Sequence, residues 1–137
     1  MIGRKKFGIP MIELENKIIQ MVSNNLVTIV APGSKFKNLV SKLNVLEIYD
    51  FDPYLDYDTY IQKDIILDDV KLKTDYIITC HGELIYPLIE IYSNKKHLFC
   101  INTNYFYTYC TTEKIMDEYN IKKIKYNNII LYYNFNI

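Results

Sequence analysis

A glycine turn and a carboxylate each follow a short apolar run in the first half of the chain. Residues 26–31 (LVTIVA) lead into a turn at Gly33, and residues 45–49 (VLEIY) lead into Asp50. Glycine lets a ligand approach the backbone closely, and a carboxylate can accept hydrogen bonds from both hydroxyls of a ribose. The pattern predicts a nucleoside site. A turn with a purely structural role is the alternative, because dinucleotide fingerprints carry three glycines and this turn carries one.

His81 and Glu83 follow a third apolar run, residues 75–80 (DYIITC). Imidazole and carboxylate groups accept protons in many enzymes, so these two side chains are candidate general bases. A surface histidine and a glutamate at the positive end of a helix are the structural alternatives. Cys80 is not expected to form a nucleophilic dyad with His81, because neighbouring side chains on an extended backbone point to opposite sides.

The composition indicates a packed domain without a strong electrostatic preference. The chain has 137 residues, half of them apolar, and its 16 basic residues balance its 16 acidic ones. This length fits a single domain over residues 1–137, and a net charge of zero provides no general attraction to nucleic acid or to anionic membranes. Residues 1–9 are expected to form a mobile basic arm, for which contact with nucleic acid is the alternative to a solvated tail.

The cysteines and the apolar runs together point to the cytoplasm. Cys80, Cys100 and Cys110 are odd in number and follow no zinc-ligand spacing, so we expect reduced thiols and no metal. No run is long enough to span a bilayer, and the first residues lack the apolar core of a secretory signal. The many Ile, Lys, Asn and Tyr residues indicate an AT-rich genome, so a viral origin, and hence the host cytoplasm, is one interpretation.

Residues 104–110 (NYFYTYC) form a tyrosine-rich tract. Exposed aromatic side chains are typical of protein interfaces, so we expect this tract to pack in the core or to form a homodimer surface. Stacking of bases or of a substrate is the alternative.

Helical and strand-like spacings alternate along the chain. The pair Asn127 and Asn128 lies between two β-rich runs and suits a two-residue hairpin turn. Such alternation predicts an α/β fold, with a mainly parallel Rossmann-like sheet, helices on both faces and a C-terminal antiparallel β-hairpin. Helices are expected at 10–24, 34–43, 83–92 and 111–119, capped at Ser34 and at Thr111 or Thr112, and strands at 26–31, 45–49, 59–62, 75–80 and 97–101.

The order of these motifs resembles that of class I S-adenosylmethionine-dependent methyltransferases. The resemblance covers residues 12–135 and rests on "VTIVAPGSKFKNLVSKL", then "VLEIYDFDP", then "KDIILDDVKLKTDYIITCHGE". In that family a glycine-bearing loop follows the first strand, a carboxylate ends the second, and an aspartate opens the fourth. The resemblance also implies a closing antiparallel strand pair, as the hairpin pattern predicts.

The resemblance implies S-adenosylmethionine as the cofactor, together with an acceptor substrate that it does not identify. The implied cofactor contacts are Ala31, Gly33 and Ser34 on the methionine side, Asp50 on the ribose, Asp64 and Ile65 on the adenine, and Cys80 near the methyl group. His81 or Glu83 would then remove a proton from the acceptor. Two alternatives stay open: a degenerate relative that serves as an interaction module without catalysis, and a small enzyme that binds a nucleotide or nucleoside at the same place.

Overall fold

The computed structural model describes residues 11–32, 36–50, 57, 60–102, 106–126 and 128–137. Its elements alternate between strand and helix, as the sequence predicts. The helices are α1 (Met11–Val22), α2 (Lys37–Lys42), α3 (Ile85–Ile91) and α4 (Phe106–Tyr119), with a short 3-10 turn, Gly82–Leu84, before α3. The strands are β1 (Val27–Val30), β2 (Val45–Asp50), β3 (Tyr60–Gln62), β4 (Tyr76–Thr79), β5 (Lys96–Asn102), β6 (Lys122–Tyr126) and β7 (Ile129–Tyr133).

The described strands form one sheet in the order β3-β2-β1-β4-β5-β7-β6. The first five strands in this order pair in parallel, whereas β7 is antiparallel to both β5 and β6. The strand order reverses direction at β1, from which the chain proceeds to β2 and β3 on one side and to β4 and β5 on the other. This architecture confirms the predicted Rossmann-like sheet with its C-terminal antiparallel hairpin.

Side chains of the strands alternate between the two faces of the sheet, with one apolar core beneath α1 and α2 and two on the opposite face. On β5, Leu98 and Cys100 join the core covered by α1 and α2, whereas Phe99 and Ile101 join the core covered by α3 and α4. Helix α1 contributes an apolar stripe formed by its buried apolar residues, Leu14, Ile18, Met21 and Val22. Helices therefore cover both faces, as predicted. Within the described residues, no helix is both long and apolar enough to cross a membrane.

The boundaries of two helices differ from the sequence-based expectation. Helix α4 begins at Phe106 and not at a cap formed by Thr111 or Thr112, because residues 106–110 contain no glycine or proline to stop it. The tyrosine-rich tract is therefore largely helical. The predicted helix over 83–92 starts with the 3-10 turn, and Pro87 lies in the first turn of α3, where its missing N–H is tolerated.

A β-bulge sets the register between the two strands that lead toward the predicted site. Val27 pairs with Val45, but Thr28 pairs with Glu47, so that Leu46 has no partner on β1 and is exposed. Without this extra residue, Glu47 would be directed into the apolar core beneath α1. The bulge instead places the Glu47 carboxylate on the opposite face, beside Thr28.

Glu47 is the centre of a buried polar network that joins three segments of the chain. Its carboxylate accepts hydrogen bonds from the Tyr49 hydroxyl, from the backbone N–H of Lys73 at 3.2 Å and from the Thr28 hydroxyl at 3.4 Å. The Thr28 and Thr74 hydroxyls lie 2.7 Å apart. Burial and the adjacent Glu47 raise the pKa of Tyr49, which therefore stays a donor at neutral pH. The network fixes the segment before β4 to β1 and β2.

His97 is a buried titratable group on β5. Its Nε2 lies 2.8 Å from the carbonyl oxygen of Tyr92, its ring stacks on Phe99 and its Nδ1 has no hydrogen-bond partner among the described residues. Burial lowers the pKa of His97, and the hydrogen bond to Tyr92 opposes that shift. The imidazole is therefore neutral in the folded protein at neutral pH.

We expect Tyr49→Phe to lower the free energy of unfolding by about 1–3 kcal/mol, because one oxygen of a buried carboxylate loses its donor. Chemical denaturation measures this change. Tyr126→Phe is the matched control, since Tyr126 is half-buried on β6 and its hydroxyl is far from the network. Equal losses in the two variants would contradict the role given to the Tyr49 hydroxyl.

Acidification is expected to destabilise the fold through His97. In the unfolded chain, His97 takes up a proton near the ordinary histidine pKa of about 6.5, whereas in the folded chain it does so at lower pH. The free energy of unfolding therefore decreases as the pH falls below about 6.5. Between pH 7.5 and 5.5 the contribution amounts to about 1.4 kcal/mol at most. Denaturation at both pH values should show a smaller loss in His97→Gln than in the wild type. An equal loss in His97→Gln and in the wild type would contradict the role given to His97.

Candidate functional site

The carboxyl ends of β1, β2 and β4 lie side by side. The Ala31 N–H donates to the carbonyl of Tyr49 at 2.8 Å, and the Cys80 N–H donates to the carbonyl of Val30 at 3.3 Å. Ala31 therefore lies between the residues that end β2 and β4. We refer to the surface formed by Ala31, Asp50 and Cys80 as the carboxyl-edge site, and it coincides with the point at which the strand order reverses.

The turn after β1 starts with a left-handed residue. Ala31 has a φ of 54°, a conformation that costs an L-residue about 1–2 kcal/mol and that glycine adopts freely. Pro32 follows and is buried. Gly33 and Ser34, which the resemblance assigns to the methionine side of the cofactor, lie outside the described residues. The predicted cap at Ser34 falls there too, and the residue that precedes α2 in the described part of the chain, Phe36, makes no side-chain capping hydrogen bond.

Helix α2, which follows this turn, is held against α1 by a buried carboxylate. Glu15 on α1 accepts hydrogen bonds from Lys42 at 3.1 Å and from Asn38 at 3.0 Å, both on α2. Glu15 is 3% exposed, so its carboxylate is buried, whereas the Lys42 side chain is 40% exposed. This arrangement fixes the position at which the chain re-enters helical structure after the turn.

Asp50 ends β2 on the same face of the sheet as α1 and α2. Strand alternation places it with Ile48, on the face opposite to Tyr49, and Gln62 is its partner on β3. Asp50 is half-buried and has polar neighbours of its own. Its negative charge contributes to the raised pKa values of both Cys80 and Tyr57, so these three side chains belong to one electrostatic cluster. A carboxylate in this position is suited to accept hydrogen bonds from vicinal hydroxyls.

Cys80 has a thiol that stays protonated at neutral pH. Burial raises its pKa well above the ordinary value, and Cys100 and Asp50 raise it further. Cys80 is half-buried by exposure, whereas Cys100, on β5, is buried, and burial raises the pKa of Cys100 to about 12. Neutral thiols are poor nucleophiles, so the structure supports a role for Cys80 in packing or contact and not in covalent catalysis.

His81 and Glu83 are both exposed and flank Gly82 at the start of the 3-10 turn. The His81 carbonyl accepts a hydrogen bond from the Leu84 N–H at 3.1 Å, which fixes the backbone immediately after β4. The side chains are thus positioned at the edge of the sheet next to Cys80, where a substrate can reach them. Glu83 makes polar or electrostatic contacts with the protein as well.

Asp64 and Ile65 occupy a turn between β3 and β4. The Asp64 carboxylate accepts hydrogen bonds from the N–H groups of Ile66 at 2.9 Å and Leu67 at 3.1 Å. Ile65 is buried in the core with Val30 and Tyr49. Asp64 therefore shapes its own turn, and its predicted contact with adenine remains a prediction that this geometry neither supports nor opposes.

Sequence reasoning missed two residues beside the carboxyl-edge site. Tyr57 is half-buried and packs, like Cys80, on the core covered by α1 and α2, and the Lys37 Nζ lies 5.8 Å from the centroid of its ring. Tyr57 is one of fourteen tyrosines and has no neighbouring motif. The contact joins the first residue of α2 to a residue twenty positions further along the chain, so no local signal in the sequence indicates it.

The fold is similar to that of a known methyltransferase. The crystal structure of N-methyltransferase NodS from Bradyrhizobium japonicum WM9 superposes with a TM-score of 0.56 at 11% sequence identity, covering 89% of this chain and 94% of that chain. At this identity the similarity shows a methyltransferase-like fold. No protein-family model and no curated protein sequence matches the chain.

The conformation of Ala31 gives a direct test of the turn. We expect Ala31→Val to lower the free energy of unfolding by about 1–2 kcal/mol, because a β-branched residue tolerates positive φ poorly. Ala31→Gly should change it by less than about 1 kcal/mol, since relief of strain offsets the greater entropy of the unfolded chain. Chemical denaturation of the two variants measures their free energies of unfolding. If the Ala31→Val variant were more stable than the Ala31→Gly variant, Ala31 would not have a left-handed conformation.

Proposed function

We propose that this chain binds S-adenosylmethionine at the carboxyl-edge site and acts as a methyltransferase. The methyltransferase-like fold supports the proposal, since ligands of such sheets bind beyond the carboxyl ends of the central strands. The observation that carries it is the pair of backbone hydrogen bonds from Ala31 and Cys80, which brings the turn after β1 next to Asp50 and to the end of β4. Each of these places matches a cofactor-contacting position implied by the family resemblance.

The described residues fit the nucleoside part of this cofactor. Asp50 has a half-buried carboxylate at the end of β2, as recognition of ribose hydroxyls requires. Ala31 supplies the left-handed turn that directs the backbone away from the sheet before Gly33. Contacts with adenine by Asp64 and Ile65, and with the methionine part by Gly33 and Ser34, belong to the same proposal.

In the proposed reaction, the bound cofactor supplies an electrophilic methyl group on a sulfonium. The protein contributes mainly by alignment, which can account for a large part of the rate of such a displacement. His81 or Glu83 accepts the proton that the acceptor loses, and both side chains are accessible at the edge of the sheet. Cys80 stays neutral and lies next to them at the end of β4.

A second candidate is an interaction module of the same fold that lacks catalysis. Ala31 favours it, because the left-handed position after β1 is held by a residue that pays a conformational cost where glycine does not. A small nucleotide-binding or nucleoside-processing enzyme is the third candidate, since Asp50 suits any ribose.

Thermal unfolding with added ligand tests the proposal. At 100 times its dissociation constant, a ligand stabilises the folded state by about 2.7 kcal/mol, which corresponds to roughly 8 °C for a chain of this size. We expect S-adenosylmethionine and its demethylated product to raise the Tm of the wild type, and NAD and ATP to leave it unchanged. Asp50→Asn should abolish the shift. The matched control Asp117→Asn, at an exposed position of α4, should retain it.

The outcomes separate the three candidates. A shift with NAD or ATP alone would favour the nucleotide-binding enzyme, and no shift with any of the four ligands would favour the interaction module. If Asp50→Asn kept the full shift, the ribose contact assigned to Asp50 would be wrong. Methyl transfer itself is then measured by incubating the protein with radiolabelled cofactor and candidate acceptors, with His81→Ala and Glu83→Ala as the test variants.

A further inference from the structure

We infer that Cys80 and Cys100 form a redox-sensitive pair, which hydrogen peroxide converts to a disulfide at the carboxyl-edge site. The two residues lie on neighbouring strands, because β4 pairs in parallel with β5 and Thr79 is the Cα partner of Phe99. Cys80 and Cys100 each come one residue later in this register. Both are free thiols in the structure. The effect that we expect on ligand binding rests on the proposed function.

Cys80 stays in line with the sheet although β4 ends at Thr79. Its N–H donates to the carbonyl of Val30 at 3.3 Å, which continues the ladder between β1 and β4. Strand β5 extends past Cys100 to Asn102. The two thiols also lie on the same face of the sheet, since Cys100 is buried in the core covered by α1 and α2 and Cys80 packs against that core.

The spacing of the two strands suits a disulfide bond. Adjacent strands lie about 4.8 Å apart, and the Cα atoms of bridged cysteines lie roughly 4.4 to 6.8 Å apart. Side chains of parallel partners on one face project in the same direction, so their Cβ atoms are also about 4.8 Å apart, slightly more than the roughly 3.5 to 4.5 Å of a relaxed bridge. Bond formation therefore requires Cys80 to move toward β5 by a fraction of an ångström. A bond formed with such a shift is more easily reduced than a relaxed one, so thiol reductants reverse it.

The two cysteines differ in exposure, which gives them different roles in the oxidation. Cys80 is half-buried, so a small oxidant reaches it, whereas Cys100 is 4% exposed. The Cys80 sulfur attacks one oxygen of hydrogen peroxide, the O–O bond breaks and water leaves, so Cys80 becomes a sulfenic acid. The Cys100 sulfur then attacks the Cys80 sulfur, the S–O bond breaks, and the hydroxide leaves with the Cys100 proton as a second water. In total, two thiols are oxidised to one disulfide and one peroxide is reduced to two waters.

Burial keeps the pair reduced until hydrogen peroxide is abundant. The thiolate is the species that attacks a peroxide, and burial raises the pKa of both thiols, so little thiolate forms at neutral pH. The pair therefore reacts more slowly than an exposed cysteine of ordinary pKa, and it responds to sustained peroxide and not to a brief exposure.

The disulfide alters the carboxyl-edge site through the backbone. The hydrogen bond from the Cys80 N–H to the Val30 carbonyl is already long at 3.3 Å, and movement of Cys80 toward β5 lengthens it further. This is one of the two hydrogen bonds that keep the turn after β1 next to the ends of β2 and β4. Loss of one such bond changes an equilibrium by about fivefold, so we expect the oxidised protein to bind the proposed cofactor about fivefold more weakly.

Peptide mapping tests the disulfide without any ligand. The folded variant Cys110→Ala is treated with hydrogen peroxide, the remaining thiols are blocked, and the chain is digested with trypsin without reduction. Trypsin cuts at Lys95 and Lys96 and so separates Cys80 from Cys100, and the substitution leaves a single cysteine on the second peptide. We expect a linked peptide that contains both cysteines, lacks two hydrogen atoms relative to the two separate peptides and is separated by dithiothreitol.

The matched control Cys100→Ala retains Cys80 and Cys110. We expect about tenfold less linked peptide in this variant, because the register of β4 and β5 then brings no second thiol to Cys80. Equal linking in the two variants, or absence of the link in folded, peroxide-treated Cys110→Ala, would overturn the inference. If Cys110→Ala did not fold, chymotryptic digestion of the wild type would give the same assignment, because the aromatic residues at 105–107 separate Cys100 from Cys110 in the sequence.

Calorimetric titration with the demethylated cofactor tests the effect on the site. We expect the reduced Cys110→Ala variant to bind it about fivefold more tightly than the oxidised variant, and dithiothreitol to restore the affinity. Equal affinity of the two forms would overturn the effect on the site. If neither form bound the cofactor, the proposed function would be rejected, and the peptide map would still decide whether the disulfide forms.

Discussion

The parallel pairing of β1 with β2 and β4 is the constraint on which the remaining structure depends. Because β1 has a neighbour on each side, the chain segments that leave its carboxyl end are kept next to Asp50 and Cys80 by backbone hydrogen bonds and not by side-chain contacts. Substitutions of side chains at this edge can therefore alter ligand binding without disturbing the scaffold. Such separation suits a fold in which the loops carry function.

The register of β1 against β2 is protected on the opposite face by the network around Glu47. The bulge at Leu46 directs this carboxylate away from the apolar core beneath α1, and the donors from Thr28, Tyr49 and Lys73 satisfy it in place. A slip by one residue would bury the carboxylate among apolar side chains without these donors, at a high cost in free energy. The polar network thus selects one alignment of the strands that lead into the site.

Much of the architecture could be predicted from the sequence, because alternating helical and strand patterns and an Asn-Asn turn are local signals. The third strand, the parallel core and the closing hairpin all follow from them. The start of α4 could not be predicted well, since an aromatic tract without helix breakers suits a strand, a loop or a helix equally. The residues near the site also differ in how well the sequence predicts them. Asp50 was recognisable from its position after an apolar run.

Tyr57 and Lys37 were not recognisable, because their contact links residues twenty positions apart in the chain. The bulge at Leu46 could not be predicted either, because it depends on how β1 and β2 pair and not on the sequence of either strand alone. Asp64 illustrates the opposite difficulty. An aspartate followed by an apolar residue matches a family position, yet its carboxylate is used by two neighbouring N–H groups, as aspartates in turns commonly are.

The position of β7 in the sheet has a consequence for how the chain matures on the ribosome. Although β7 comes after β6 in sequence, it inserts between β5 and β6, and all five of its residues are buried. While translation is under way, β5 therefore presents an open hydrogen-bonding edge, and β6 has nowhere to attach. The sheet closes in a single late event, when β7 emerges and joins both strands. A nascent chain paused before that point would be a natural client for chaperones that shield unpaired strand edges.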